Sequence, residues 1–310
     1  MVTAPAPLMS SRTLLNLTLA AIALLLGLVV VYQPGLEKDA VAPPISNLSA
    51  DSISSIRVTR KERTPLTFTK TASGWRLLKE QSLPASAFQI GALLGVPGNR
   101  PERSYPVSAL DPGSVGLEPP QATLLLDDTL ITIGNTEPLE RKRYIRHDDT
   151  VYLVTDIYQH LINADWTNFI ERRLLPENAA LKSIELPGLS LALDNEQQWQ
   201  AAPEIDAGNT TAIQDLVAQW QNASATYIRR YDGTATSAAI TLTFSDDTET
   251  LTLYINEQPE ELVLARPDWG LQYHFPANMR KTLLGIAAPD TGIEAGTGTL
   301  QLDSTAPRAP

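Results

Sequence analysis

The first pattern along the chain is an uncharged apolar run from Leu14 to Val31, in which Asn16 and Thr18 are the only polar side chains. A helix rises about 1.5 Å per residue, so the run extended to residues 13–33 matches a hydrocarbon layer of about 30 Å. The pattern therefore predicts one transmembrane helix at residues 13–33.

The flanks of this run predict its orientation. The short N-terminal flank, residues 1–12, carries Arg12 and the α-amino group as its only charges, and all 35 acidic residues follow the run. The short positive side favours the cytoplasm, which sends the rest of the chain across the membrane. A cleaved signal peptide is the alternative interpretation, although the run is longer than the usual apolar region of about 7 to 15 residues.

Beyond the run, alternating strand patterns occur twice, at an offset of roughly 120 to 128 residues. The first copy opens with Ile53–Val58 and the second with Leu181–Leu186, and both alternate apolar and polar positions as half-buried strands do. A second strand and a tryptophan follow in each copy, at Trp75 and Trp199. The pattern predicts a duplication, with copies at residues 51–175 and 176–288.

Each copy then contains an apolar stripe of helical spacing, Ile90–Leu94 in the first and Ile213–Val217 in the second. Positions i, i+3 and i+4 lie on one face of a helix, so both segments are predicted to pack on a core. Thr211 and Gln214 have the spacing of a capping box, and Asn209 and Thr210 are alternative caps.

Further strand pairs follow the helix in each copy, and a short closing helix ends it. Three double aspartates separate the strands, at residues 127–128, 148–149 and 246–247, where tight turns favour Asp. Acid–base pairs and calcium ligands are the alternative interpretations of these carboxylates. The order of elements predicts an α+β fold: an N-terminal transmembrane helix, then two tandem repeats, each an antiparallel sheet with covering helices.

The remaining segments are connectors. Residues 34–50, which contain Pro43 and Pro44, are predicted to form a linker. Residues 289–310 are rich in Gly, Thr, Ala and Pro and are predicted to be a disordered tail.

Composition limits the chemistry. The net charge of −11 makes nucleic acid an unfavourable partner. The chain has no cysteine, and its three histidines have no metal-pair spacing. It also lacks the sequence motifs of serine hydrolases, P-loop proteins and zinc proteases. We therefore predict no catalytic residue, no cofactor and no metal, and expect a protein that is not an enzyme.

One basic cluster contrasts with this acidic background. It consists of Arg141, Lys142, Arg143 and Arg146. We take these four residues as the candidate partner-binding site for an anionic partner. The alternative interpretation is a solvated face, which is the usual role of an isolated charge run.

Several short motifs resemble a bacterial family known only as a domain of unknown function, whose genes often lie beside ABC-type export permeases and gliding-motility auxiliary proteins. The motifs that carry the resemblance are Gly74-Trp75, Val115–Pro119, Leu130–Gly134, Tyr144-Ile145 and Val151–Val154. The second copy departs from them, having Tyr254-Ile255 where Gly134 would align. The family offers no catalytic residues.

The resemblance and the anchor together imply a function. We expect a non-enzymatic, single-pass accessory protein of the bacterial inner membrane, with a cytoplasmic N-terminus and a periplasmic duplicated domain that binds components of an ABC-type transport or envelope complex. The alternative is an extracytoplasmic module that binds, and possibly hydrolyses, glycan or peptide in a cleft between the copies.

Overall fold

A computed structural model describes residues 11–32, 42–177, 179–203, 210–234, 238–245 and 250–285. Its first element is helix α1 (Ser11–Tyr32). The side chains described in this helix, at residues 15–28, are all exposed. Within the described residues, no helix combines the length and the apolar character that crossing a bilayer requires.

The first unit contains nine strands and two helices among its described residues. In chain order they are β1 (Ser55–Arg60), β2 (Arg63–Thr71), β3 (Gly74–Leu78), β4 (Ser82–Pro84), α2 (Ala87–Leu94), β5 (Arg103–Pro106), β6 (Ala122–Leu126), β7 (Thr129–Thr136), β8 (Lys142–His147), β9 (Thr150–Thr155) and α3 (Gln159–Asn163). The strands form one antiparallel sheet in the order β4-β3-β2-β1-β6-β7-β8-β9-β5.

The second unit follows after a 3₁₀ helix at Trp166–Phe169. Its described elements are β10 (Leu181–Leu186), β11 (Leu189–Leu193), β12 (Trp199–Ala202), α4 (Thr210–Asn222), β13 (Tyr227–Arg230), β14 (Ala239–Phe244), β15 (Thr250–Glu257), β16 (Glu261–Arg266), β17 (Leu271–Pro276) and α5 (Met279–Leu284). Its sheet has the order β12-β11-β10-β14-β15-β16-β17-β13.

The two strand orders are the same apart from β4, which extends the first sheet at one edge. In both units an antiparallel run of strands precedes the helix, with four strands in the first unit and three in the second. A four-stranded meander follows, and one short strand from between them pairs with the end of the meander. The predicted α+β class with two antiparallel sheets and the predicted duplication are therefore confirmed.

The buried faces of both sheets contribute to one continuous apolar core. The segment between the units pairs with each of them, through a bridge from Ile170 to Ala85 and a bridge from Arg173 to Ser224. Trp220 of α4 is fully buried, and its Nε1 donates to the carbonyl oxygen of Leu283 over 2.8 Å. The units are thus joined by shared packing rather than by a loose connection.

Several details differ from the sequence-based expectation. The short edge strands β5 and β13 were not predicted, and Trp199 begins its strand instead of ending one. Because α4 begins at Thr210, Thr211 lies inside the helix and is not its cap. Within the predicted linker, Ile45 is 3% exposed, and its backbone N–H donates to Asn99.

Three predictions fall on residues outside the described part of the chain. They are the disordered tail at 289–310, the turn at Asp246-Asp247 and the alternative helix cap Asn209.

Gly134 of β7 explains part of the Val115–Pro119 motif in structural terms. A Cβ atom at Gly134 would lie 2.5 Å from the Val115 carbonyl oxygen and 3.1 Å from Leu117. The same carbonyl oxygen accepts the backbone N–H of Asn135 over 2.8 Å. The loop can therefore pack on β7 only where the strand has no side chain.

This packing predicts opposite effects for two glycine substitutions. Gly134→Ala should destabilise the protein by about 1–3 kcal/mol, because the new methyl group displaces the Val115 loop. Gly91→Ala should stabilise it by about 0.5–1 kcal/mol, because Gly91 is inside α2 and a Cβ there meets nothing within 4 Å. Chemical denaturation of both variants measures the two changes, and equal effects would refute the packing argument.

Candidate functional site

A cleft of about 540 Å³ lies at the junction of the two units. Its volume is in the range of small-molecule sites, which is roughly 300 to 1,000 Å³. The β1–β2 hairpin and the end of β3 form one wall, the connecting segment forms the floor, and the end of β13 closes the other side. The lining residues are Arg60, Glu62, Arg63, Thr64, Pro65, Leu66, Leu78, Lys79, Asp165, Trp166 and Arg230.

Arg60 occupies a position where the strand pattern calls for an apolar side chain. Ile56, Val58 and Arg60 share the buried face of β1, and Arg60 is only 6% exposed. Its Nη1 donates to the carbonyl oxygen of Ala164 over 2.5 Å, whereas its buried Nε has no hydrogen-bond acceptor. A buried donor without a partner costs free energy, so this arginine is poorly satisfied within the chain.

Arg63 lies directly opposite Arg60 in the β1–β2 hairpin. Its Nη1 donates to the same carbonyl oxygen of Ala164, over 3.0 Å, so two guanidinium groups converge on one neutral acceptor. Burial lowers the pKa of Arg60 from its ordinary value, and the charge of Arg63 lowers it further, while Asp165 opposes the shift. The shared acceptor and the lowered pKa of Arg60 both indicate that two positive charges lie close together here.

Asp165, in the connecting segment, and Arg230, at the end of β13, form an ion pair in the cleft. Asp165 caps the 3₁₀ helix by accepting the backbone N–H of Thr167 over 3.1 Å. Its Oδ2 pairs with Arg230 Nη2 at 2.6 Å. Burial, the largest single effect, would raise the pKa of Asp165, but the hydrogen bonds from Thr167 and Arg230 together bring the pKa below its usual value. Asp165 is thus ionised and already committed to Arg230.

Two cations, Lys79 and Arg230, lie over the ring of Trp166. The Lys79 Nζ lies 4.0 Å from the ring centroid and the Arg230 guanidinium 5.9 Å from it. Burial lowers the pKa of Lys79, and the nearby Arg230 contributes, while Asp165 and Glu80 oppose the shift. The indole ring therefore holds two like charges in place by cation–π attraction.

The lining contains four cations and two carboxylates in a chain whose net charge is −11. Within the described residues, no carboxylate forms an ion pair with Arg60, Arg63 or Lys79. Such a concentration of one charge in a concave site attracts ligands of the opposite sign. The arrangement is suited to binding an anion.

The cationic cleft contrasts with the basic cluster predicted from the sequence, of which Arg143 requires a correction. Arg143 is 3% exposed, and its Nη2 pairs with Asp156 Oδ2 at 2.6 Å. It also donates to the carbonyl oxygen of Gly134 and to the side chains of Thr136 and Gln159. Position 143 is on the inward face of β8, so this arginine holds the sheet together and is not available to a partner.

The other three residues of that cluster differ from Arg143, and from one another, in their surroundings. Arg141 is exposed at a turn, with φ 54°. Lys142 pairs with Glu102 and Glu140, and Arg146 pairs with Glu118 at 3.3 Å. Carboxylates therefore neutralise much of the positive charge that the sequence places at 141–146.

The double aspartates that the structure describes serve turns. Asp127 and Asp148 have left-handed φ angles of 47° and 50°. The carboxylate of Asp127 accepts the backbone N–H groups of Ser54 and Ser55, and together with the Ser54 hydroxyl these bonds outweigh burial and lower its pKa. Among the described residues, no group of three or more His, Asp or Glu side chains is placed to hold a metal ion.

His274 belongs to a second polar cluster, with Tyr227 and Glu261. Its Nδ1 lies 2.8 Å from Glu261 Oε2, its ring stacks on Tyr227 at 4.4 Å, and the Tyr227 hydroxyl donates to Glu261 Oε1 over 2.7 Å. The pKa of Glu261 is lowered by the hydrogen bonds from Tyr227 and then His274. His274 is 2% exposed and its Nε2 is buried, so the cluster fastens β13 to the sheet and offers no nitrogen to a substrate.

None of Arg60, Arg63, Lys79 and Arg230 belongs to the basic cluster that was predicted from the sequence. The sequence does contain one sign of a cationic site here, because four cations occur in the eight positions from Arg57 to Thr64. What the sequence does not show is that this hairpin meets Trp166 and Arg230, which are more than 100 residues away along the chain.

A family model described as a domain of unknown function (DUF4340) matches residues 101–253. The match begins beside β5 of the first unit and ends in β15 of the second, so it includes Asp165, Trp166 and Arg230 of the cleft and excludes the β1–β2 hairpin. The chain is thus similar to a family for which no activity is described. No curated protein matches the chain, and no solved structure matches it.

The placement of Arg143 predicts a large difference between two neighbouring substitutions. Arg143→Gln should lower the free energy of unfolding by about 3 kcal/mol at neutral pH, because it leaves the part-buried carboxylate of Asp156 without its partner. Arg141→Gln, at an exposed position, should change it by less than about 0.5 kcal/mol. Urea denaturation of the two variants measures both values.

The same pair has a defined pH dependence. Hydrogen bonds from Arg143 and Thr136 outweigh burial and hold the pKa of Asp156 below its ordinary value. Its contribution to stability is therefore present above the unfolded pKa of about 3.9 and is lost as the pH falls through the lower folded value. The deficit of Arg143→Gln should shrink below about pH 4, and a constant deficit would contradict the assignment.

Proposed function

We propose that this protein is a membrane-anchored binding protein without catalytic activity, which uses the cleft at the junction of its two units to hold an anionic group of a partner. The observation that carries the proposal is the set of cations Arg60, Arg63 and Lys79, which no carboxylate of the described residues neutralises. Like charges that lie together in a cleft repel one another, and the same field attracts a ligand of the opposite sign. The absence of catalytic motifs from the sequence supports a binding role.

The anchor is the second part of the proposal. The side chains described in α1, at residues 15–28, are by themselves too few to cross a bilayer, but they are apolar with few exceptions and exposed on every side of the helix, and the uncharged run continues to Val31. A helix that is apolar all round needs an apolar environment all round, which a bilayer supplies. With Arg12 on the cytoplasmic side, the two units lie in the periplasm of a bacterial cell.

The partner belongs to an envelope complex in this proposal. The resemblance to a family encoded beside ABC-type export permeases supports a component of such a transport or envelope complex. An accessory subunit on a single anchor shares the membrane with its partner, which raises the effective concentration of both.

Fractionation of the full-length protein tests the anchor. The wild-type protein should remain in the membrane after an alkaline wash, and the double substitution Leu24→Lys with Leu25→Lys should release it, because each Lys at the centre of a span costs about 2.5–3.5 kcal/mol. Gly27→Ala is the matched control, since a Cβ there meets nothing within 4 Å. A wild-type protein found in the wash would refute the anchor.

Affinity purification after crosslinking in native membranes tests the binding function. Transport or envelope components should be recovered with the wild-type protein and with Arg103→Gln, an exposed arginine with one carboxylate partner outside the cleft. Arg63→Gln should reduce recovery by about tenfold or more, as expected for the loss of one charge-assisted contact. Equal recovery with both variants, or recovery of no such component, would contradict the proposal.

A second candidate function has one observation in its favour. The cleft lies at the junction of the units and contains the indole of Trp166, as a site for glycan or peptide would. Thermal denaturation with neutral oligosaccharides and peptides distinguishes the two, because a ligand of the folded state raises the midpoint. Stabilisation that survives Arg63→Gln would favour this second function.

A further inference from the structure

The unbalanced charge of the cleft identifies the chemical class of its ligand. Asp165 already pairs with Arg230, so these two side chains neutralise each other. The remaining lining charges are those of Arg60, Arg63 and Lys79 against Glu62 alone. Glu80 is next to Lys79 in the chain and does not line the cleft. The site therefore lacks two negative charges.

We propose that the cleft binds a phosphate group of a phosphorylated ligand, an assignment that rests on the proposed binding function and gives its chemistry. A phosphate monoester carries about −1.5 to −2 charges at pH 7, which equals the deficit, whereas a single carboxylate carries at most one. The charge match favours phosphate over carboxylate.

The donors of the cleft suit phosphate oxygens. Arg60 and Arg63 each use one Nη1–H on the Ala164 carbonyl oxygen, and both side chains line the cleft. A guanidinium group donates in a planar fork that matches phosphate oxygens, and a lysine supplies a compact charge. Two arginines and one lysine converging on one cleft supply both kinds of contact.

The cleft is larger than a bare phosphate and has an apolar side. Its volume of about 540 Å³ leaves room for the body of a ligand, and Pro65, Leu66 and Leu78 line it. Leu78 is 47% exposed, which leaves apolar surface for that body to cover. The ligand is therefore a phosphate monoester attached to a partly apolar group, either the headgroup of phosphatidic acid or a soluble phosphorylated compound.

The duplicated architecture supports a specific role for this hairpin. In the first unit, β1 continues two residues beyond Val58 to Arg60, and Arg60 pairs with Arg63. In the second unit, Leu186 pairs directly with Leu189 and the chain turns at Gly188, so nothing corresponds to the two arginines. The extension adds two cations to a sheet that the second unit builds without them.

Isothermal titration of the full-length protein in detergent with inorganic phosphate, pyrophosphate, sulfate and acetate, at matched ionic strength, tests the proposal. Phosphate and pyrophosphate should bind at least tenfold more tightly than acetate. Arg63→Gln should weaken phosphate binding about tenfold or more, and Lys61→Gln should change it less than twofold. Lys61 is the matched control, because it is exposed in the same hairpin and does not line the cleft.

The outcomes separate this inference from the function on which it rests. Acetate binding as tightly as phosphate, with loss in Arg63→Gln, would overturn the phosphate assignment and leave an anion-binding cleft. No binding of any anion, or equal binding by Arg63→Gln and Lys61→Gln, would overturn both. Circular dichroism of Arg63→Gln ensures that a loss of binding is not a loss of folding.

A second arm identifies the source of the phosphate. The protein is reconstituted in nanodiscs of phosphatidylcholine alone or mixed with phosphatidic acid, and the affinity for glycerol phosphate is measured in both. If an anionic headgroup occupies the cleft, the mixed nanodiscs weaken the apparent affinity several-fold. If the ligand is soluble, the two affinities agree. Glycerol phosphate that binds in neither nanodisc would overturn the proposal.

Discussion

The long-range pairing of the first strand of each unit is the constraint on which the rest of the structure depends. β1 pairs with β6 through Ile56–Leu126 and Val58–Leu124, and β10 pairs with β14 through Ile184–Leu242. Most other pairs join strands that are neighbours in the chain. These two pairings therefore attach each hairpin to its meander, and they fix which face of β1 is buried, because a strand alternates strictly between its two faces.

That alternation connects the fold to the site. Once Ile56 and Val58 face the core, Arg60 must lie on the same side, at the end of the strand where the core meets the junction. The second unit ends its strand two residues earlier and has no such arginine. The two units thus keep one architecture, while only the first carries the cationic hairpin. The two units share their scaffold, and the extension of β1 by two residues adds the arginines of the cleft.

The sequence was most informative where a pattern is local. Alternation and helical spacing identified the hairpins, the helices and the duplication, because each depends on residues within one element. The edge strands β5 and β13 were not predicted, because each has only four residues and a segment of that length shows no clear alternation. Arg143 was predicted to be a partner-binding residue from its charge alone, although it lies on the inward face of β8. Its carboxylate partner, Asp156, is thirteen residues away in the chain, so no local pattern shows the pair. The cleft depends on contacts between distant segments, and no local pattern predicts these.

The proposed binding function requires the cations of the junction cleft to form one site for a tetrahedral oxyanion. A crystal structure of the full-length protein grown with tungstate, a heavy analogue of phosphate, is the measurement of choice, because the anomalous signal locates the ion. A peak is expected within hydrogen-bonding distance of the Arg60 and Arg63 side chains and close to Lys79. A cleft without a peak at saturating tungstate, or one in which carboxylates neutralise those arginines, would contradict it.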